Sequence, residues 1–196
     1  QHPTYRASTV VFANMAAVAA TTWQDKAGYT YGLHGTPASF VLEERLAALE
    51  GGGHCLLTSS GLAALALVDY ALLQAGDEVL LPQNAYGPNI ALARSELARF
   101  GISCQLYNPL DAADVAAKIH TKTKLLWLEA AGSVTMEFPD LLGITRLCQE
   151  RGVMTALDNT WGAGLAFAPF DLDGQGLGVD ISVHALTKFP CGGGDV

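Results

Sequence analysis

From about residue 37 onward the chain alternates helical periods with short apolar runs, a pattern that restricts it to a layered α/β domain. The helical segments close at glycine: 37–49 runs into Gly51, 61–73 stops at Gly76, 88–100 at Gly101 and 139–151 at Gly152. Glycine there suits the left-handed backbone that ends a helix. Residues 112–119 read as one more helix. Between the helices lie runs at 55–58, 78–81, 103–107, 124–129, 153–157 and 180–185, short and apolar enough for strands covered on both faces. The expected fold is a mostly parallel sheet with flanking helices. Residues 1–36 show no clear period and read as an N-terminal arm, with 37–196 as the α/β domain.

Composition narrows the function classes. Half of the residues are hydrophobic and 15% charged, enough to build a core and unlike a disordered chain. Nineteen acidic residues outnumber 11 basic ones, for a net charge of −8, and the basic residues are scattered, so neither a nucleic acid nor an anionic membrane is an expected partner. The richest apolar stretch, 62–73, is interrupted by Asp69 and is too short to span a bilayer. The N-terminus lacks the basic start and apolar block of a secretory signal. Cys55, Cys104, Cys148 and Cys191 are widely spaced, with no C-x-x-C, which argues against a zinc site or a disulfide framework and for a reducing cytoplasm. The five histidines offer no i, i+4 pair, so no metal is expected. The chain starts at Gln1 and ends in a glycine-rich loop, and is expected to continue into a further domain downstream.

Ligands of open α/β sheets sit beyond the carboxyl ends of the strands, so the polar residues that follow each apolar run are the candidates for chemistry. Those are Ser59-Ser60-Gly61, Asn84-Ala85-Tyr86, Glu129, Asp158-Asn159-Thr160-Trp161 and Thr187-Lys188. Ser60-Gly61-Leu62 opens a helix, whose free N–H groups favour an anion, although a serine there is also a plain cap. Asp158 has no basic neighbour in sequence and could face a cationic ring nitrogen or simply cap a turn. Lys188, after an apolar run and before Gly192-Gly-Gly194, can act as an imine-forming amine where desolvation takes its proton. His184 reads as a satisfied interior histidine.

In order along the chain, these segments resemble the Cys/Met-metabolism family of pyridoxal-phosphate enzymes, of the aspartate-aminotransferase-like fold. The matching pieces are Tyr31-Gly-x-x-Gly35-Thr36, Leu49-Glu50-Gly51-Gly52, Ser60-Gly61-Leu62-Ala63-Ala64, Ala85-Tyr86, Asp158-Asn159-Thr160 and Asp180-Ile-Ser-Val-x-Ala-x-Thr187-Lys188. The resemblance implies that Lys188 binds the aldehyde of pyridoxal 5'-phosphate covalently, Asp158 keeps the pyridine nitrogen protonated, and Tyr86 stacks on the ring. It implies a phosphate resting on the N–H groups of Gly61 and Leu62 beside the Thr187 hydroxyl, with Tyr31 reaching it from a neighbouring subunit of a homo-oligomer, a dimer or tetramer.

Within the family, Asp158-Asn-Thr-Trp161 and Gly132-Ser-Val-Thr-Met-Glu137 look most like the cystathionine β-lyases, which implies β-elimination from a small sulfur-containing amino acid, with Lys188 as the base and Tyr86 beside it. The γ-synthase and γ-lyases tend to carry Phe after Asp-Asn-Thr. Four places depart from the family pattern. Leu33 stands where many relatives have a phosphate-binding Arg, Ala185 where many have Ser, Glu129-Ala130-Ala131 replaces Glu-Ser/Thr-Pro, and Gly192-Gly-Gly194-Asp195 replaces a Gly-His turn. A γ-lyase or sulfhydrylase-like transferase, and a non-catalytic relative keeping the fold, stay open as alternatives.

Overall fold

The sheet is built from β1 (Glu78–Pro82), β2 (Ser103–Tyr107), β3 (Thr123–Glu129), β4 (Met154–Asp158) and β5 (Ile181–Val183), in the spatial order β2-β1-β3-β4-β5. Every pairing is parallel. The computed structural model describes residues 3–22, 26 and 28–191; the Gly192-Gly-Gly194-Asp195 turn lies outside the described residues. The chain divides into two compact units, Gln1–Leu57 and Thr58–Val196.

In the second unit, strand alternation sends successive side chains to opposite faces, so one strand feeds two cores. Val79, Leu81, Leu125, Trp127 and Ala156 pack on the face that receives Leu65 of α3 (Gly61–Leu72). Ala93 and Leu97 join them, from a π-helical stretch (Ala93–Leu97) that continues α4 (Gly87–Leu92). Leu80, Leu126, Leu128 and Leu157 turn the other way, onto Val115 of α5 (Ala112–Lys118) and Ile144 and Cys148 of α6 (Leu141–Glu150). The result is three layers, helix, sheet and helix. Three of these helices start at a side-chain cap: Ser60 accepts from the Ala63 N–H, Asp111 from Ala113 and Asp114, and Asp140 from Gly143.

In the first unit, α1 (Met15–Ala19) is one turn capped by Asn14, and α2 (Pro37–Glu50) begins with a Thr36–Ser39 capping box and Pro37 in its first turn. Glu43 of α2 pairs with Lys26 and accepts the Leu57 N–H, tying the segment after α2 back onto it. Two of the leucines of α2, Leu42 and Leu49, are exposed. Residues 55–58, expected as a strand, form no regular element and pair with no strand among the described residues. Their hydrogen bonds run to α2 and Lys26 instead of to a sheet.

One core polar group gives a stability prediction. Asp69 of α3 is 1% exposed, accepts the Trp127 indole N–H at 2.8 Å through Oδ1, and its Oδ2 has no partner among the described residues. Burial pushes its pKa up to about 6. Because the folded pKa lies above the unfolded one, the protonated form is favoured by folding, and stability is lost as pH rises from about 4 through 6. Asp69→Asn keeps an acceptor for Trp127 and removes the buried charge. It should raise the denaturant midpoint at pH 7.5 by the equivalent of about 1–3 kcal/mol, with the gap closing toward pH 4. Denaturant titrations of both proteins across that range check it; a pH-independent loss of stability would contradict the assignment.

Candidate active site

In a doubly wound sheet the binding crevice opens where the chain changes direction, and here that point lies between the carboxyl ends of β1 and β3, because β2 and β3 flank β1 on opposite sides. Four segments meet along this end of the sheet. Asn84, Ala85 and Tyr86 follow β1, Glu129 ends β3, Asp158 ends β4, and residues 184–188 follow β5. Glu129 and Asp158 are in register on adjacent strands, so both carboxylates leave the sheet on the same side.

Asp158 is half-buried, and its Oδ1 accepts the Thr160 hydroxyl at 2.6 Å and the Thr160 N–H at 3.1 Å. Burial raises its pKa above the ordinary carboxylate value, opposed by those two bonds and by the neighbouring His184. The Thr160 hydroxyl also accepts the Ala185 N–H at 2.9 Å, so a single side chain ties the Asp158 turn to the segment that carries Lys188. Trp161 and Phe189 tie it again, with ring centroids 5.1 Å apart.

Lys188 sits in a turn whose N–H donates to the Ala185 carbonyl at 3.0 Å, and both Lys188 and Thr187 are exposed. The desolvation expected of a lysine at a strand mouth is therefore not supplied by the described residues. β5 stops at Val183, and the turn carries Lys188 beyond the strand end. The N-terminus of α3 packs directly against this segment: a Cβ on Gly61 would lie 2.7 Å from the Ala185 Cβ, so only glycine permits the approach. Gly61 and Leu62, at the start of α3, have N–H groups with no intrahelical acceptor. Tyr86 is exposed at the start of α4, and its N–H donates to Glu129 Oε1 at 2.5 Å. Tyr31 belongs to the first unit, where its ring meets His34 edge-on and Leu33 beside it is 82% exposed.

Of the residues anticipated from sequence, Gly61, Leu62, Tyr86, Asp158, Thr187 and Lys188 therefore lie at the carboxyl end of one sheet. Glu129 belongs with them. Its sequence signal was a carboxylate closing the apolar run Leu125-Leu126-Trp127-Leu128, but its partners could not be read before the strand order was known. The arrangement fits pyridoxal phosphate on its own chemistry. It offers an amine, a carboxylate suited to a protonated ring nitrogen, an aromatic ring, and beside the lysine segment a helix start with free N–H groups for an anion. Cys104 and Cys148 take no part, since burial pushes their thiols up to about 11 and about 12.

Comparison with known proteins agrees with this geometry. The family described as Cys/Met metabolism PLP-dependent enzyme matches residues 1–196. A cystathionine beta-lyase from Bordetella avium is 37% identical over 197 residues, covering 99% of this chain and 48% of the relative. The Escherichia coli cystathionine beta-lyase MetC is 34% identical over 193 residues, covering 97% and 48%. Among solved structures, a Campylobacter jejuni protein provisionally named an O-acetylhomoserine (thiol)-lyase, which carries N'-pyridoxyl-lysine-5'-monophosphate, superposes with a TM-score of 0.87. It is 28% identical, over 96% of this chain and 45% of that one. The chain spans about half the length of the curated relatives it matches. A family match along the whole chain, on a fold that gathers an amine, a carboxylate and a helix start at one sheet edge, places this chain in the Cys/Met-metabolism family of pyridoxal-phosphate-dependent enzymes, with pyridoxal 5'-phosphate as its cofactor.

Proposed function

We propose that the whole protein is a carbon–sulfur β-lyase that cleaves cystathionine, with water, to homocysteine, pyruvate and ammonia. The observation that carries this reading is the Asp158-Asn159-Thr160-Trp161 turn, whose indole packs against Phe189 and so stands beside Lys188. The γ-acting branches resembled in sequence tend to have Phe at the Trp161 position. The curated relatives named cystathionine beta-lyase support the same reading.

In this proposal each residue has a task set by its place. Bound pyridoxal phosphate supplies the electron sink for the pair left when the substrate's Cα–H bond breaks. Asp158 holds the proton on the ring nitrogen, Thr160 fixes the carboxylate, and Tyr86 covers one ring face. Gly61 and Leu62 donate their N–H groups to the phosphate, with the Thr187 hydroxyl beside them. Lys188 would hold the cofactor through its amine and, once that amine is free, would remove the Cα proton. The Cβ–S bond breaks toward sulfur, releasing homocysteine as the thiol. Residues 1–36 are read as an arm at a subunit interface of a homo-oligomer, with Tyr31 serving a neighbouring copy, and 37–196 as the cofactor-binding domain. No described helix is long and apolar enough to cross a membrane; a cytoplasmic location is proposed.

Product analysis tests the bond cleaved. The full-length protein supplied with cystathionine is expected to form pyruvate and homocysteine in equal amounts. Cysteine and 2-oxobutyrate would instead identify a γ-lyase. Homocysteine formed only from O-acetylhomoserine and sulfide would identify the transferase that the Campylobacter jejuni neighbour's name favours.

A further inference from the structure

Two loops border the crevice at the switch point, the turn after β1 that carries Tyr86 and the loop of residues 130–139 after β3. Both hang on one buried carboxylate. Glu129 is 5% exposed; its Oε1 accepts the Tyr86 N–H at 2.5 Å and its Oε2 the Ser133 N–H at 3.0 Å. A second clip lies beside it, where Asn84 Nδ2 donates to Thr135 Oγ1 at 3.1 Å and Glu137 Oε2 at 3.0 Å. The amide seats tightly, because a Cβ on Gly132 would fall 2.1 Å from Asn84 Nδ2. The loop so held is costly to hold: Val134 and Met136 both have left-handed backbones, at φ 68° and 58°, which a β-branched or long side chain adopts only under constraint. Tyr86 itself has no side-chain cap for α4, so the Glu129 bond is what fixes its backbone from outside the helix.

We propose that Glu129 is a positioning residue of the active site: its carboxylate, through one oxygen to each loop, sets the Tyr86 ring against the cofactor and fixes the 130–139 loop as the opposite lip of the crevice. The part of this proposal that concerns the ring rests on the cofactor reading above. An ionised carboxylate suits the task, since it alone offers two acceptor oxygens to two N–H donors, while an amide or a protonated carboxyl presents a hydrogen toward one of them. The groups facing Glu129 are Asp158 on β4 and the Tyr107 phenol on β2, with the Ser133 hydroxyl and the two backbone donors. Burial first, and Asp158 after it, push the Glu129 pKa up to about 7 against the pull of its hydrogen bonds, so the clip is complete above neutrality and weakens as pH falls through 7.

The test uses the full-length, cofactor-loaded protein and Glu129→Gln, which keeps one acceptor and turns the other into a donor, with Glu129→Asp as the shorter carboxylate. Hydrogen exchange at pH 8.5, read by mass spectrometry, should show the peptide containing Tyr86 or that containing Ser133 exchanging roughly 10- to 100-fold faster in Glu129→Gln, the loss of one charge-assisted bond, while β1 and β3 stay protected. The visible circular dichroism of the bound cofactor should fall with it. Both differences from wild type should shrink between pH 8.5 and 6, as the native carboxyl gains its own proton, and Glu129→Asp should recover part of each. Unchanged exchange and unchanged dichroism in Glu129→Gln at pH 8.5 would overturn the proposal, as would differences that do not depend on pH. Borohydride trapping of the cofactor on Lys188 in the wild-type protein runs alongside: its failure would remove the cofactor reading, whereas the exchange measurement judges the Glu129 clip by itself.

Discussion

Lys188→Ala in the full-length protein is expected to abolish borohydride trapping of the cofactor and to lower cystathionine cleavage by roughly 1,000-fold or more. The size of the effect follows from two duties falling on one amine. In the proposed reaction it would anchor the cofactor before the substrate arrives and move the Cα proton afterwards, a general-base step worth roughly 100- to 10,000-fold by itself. The fold should survive. Lys188 is exposed, its backbone N–H bond to Ala185 does not depend on its side chain, and it contributes to neither core cluster. Far-ultraviolet dichroism and the denaturant midpoint should therefore match wild type while the covalent adduct disappears. An added small primary amine should restore part of the rate by supplying the missing base. Turnover within a few-fold of wild type, or trapping that persists on another lysine, would remove Lys188 from the mechanism.

How much of this site was legible depended on whether the information was local. Strand β2 lies where residues 103–107 were expected, and the ends of α2 and α3 fall within one residue, because caps and closing glycines act over a few positions. Lys188, Asp158 and Gly61 could be picked out because each follows an apolar run or opens a helix, and the sheet then gathers them without further instruction. Residues 55–58 misled, since a short apolar run does not say whether a neighbouring strand will be there to pair with it. The single turn α1 left no trace in the hydrophobic period because it buries none of its residues. Glu129 was visible as a carboxylate closing a strand, yet its work of joining Tyr86 to Ser133 depends on β1 and β3 being neighbours. The spatial order β2-β1-β3 is a property of the crossovers and not of either segment. The bond from the Ala185 N–H to the Thr160 hydroxyl was hidden for the same reason, being a contact across 25 residues.

Asp158→Asn should isolate the electron sink from everything else the site does. Oδ1 of Asp158 accepts both bonds from Thr160, and an asparagine carbonyl in that place can accept both again, so the turn and its link through Thr160 to Ala185 should persist. What changes is the other position. A carboxylate oxygen there can hold a proton on the pyridine nitrogen as a charge-assisted bond, whereas an amide NH2 can only donate to a ring nitrogen that has lost its proton. Losing a hydrogen bond to a charged group is worth about 1.5–3 kcal/mol, so Cα deprotonation should slow roughly 10- to 100-fold, with the cofactor still bound and still trapped on Lys188 by borohydride. Burial makes the case sharper, because the ionised Asp158 is already held against desolvation by Thr160 and by His184, and a cationic ring nitrogen completes that balance in a way a neutral one cannot. The measurement is the rate of deuterium incorporation at Cα of L-alanine, an amino acid with no β leaving group, in full-length wild-type and variant proteins. Proton removal is then read without C–S cleavage. Exchange at the wild-type rate would show that the ring nitrogen needs no carboxylate here and would leave Asp158 as a turn residue alone. Slow exchange with intact trapping would leave the proton on the ring nitrogen as the quantity Asp158 controls.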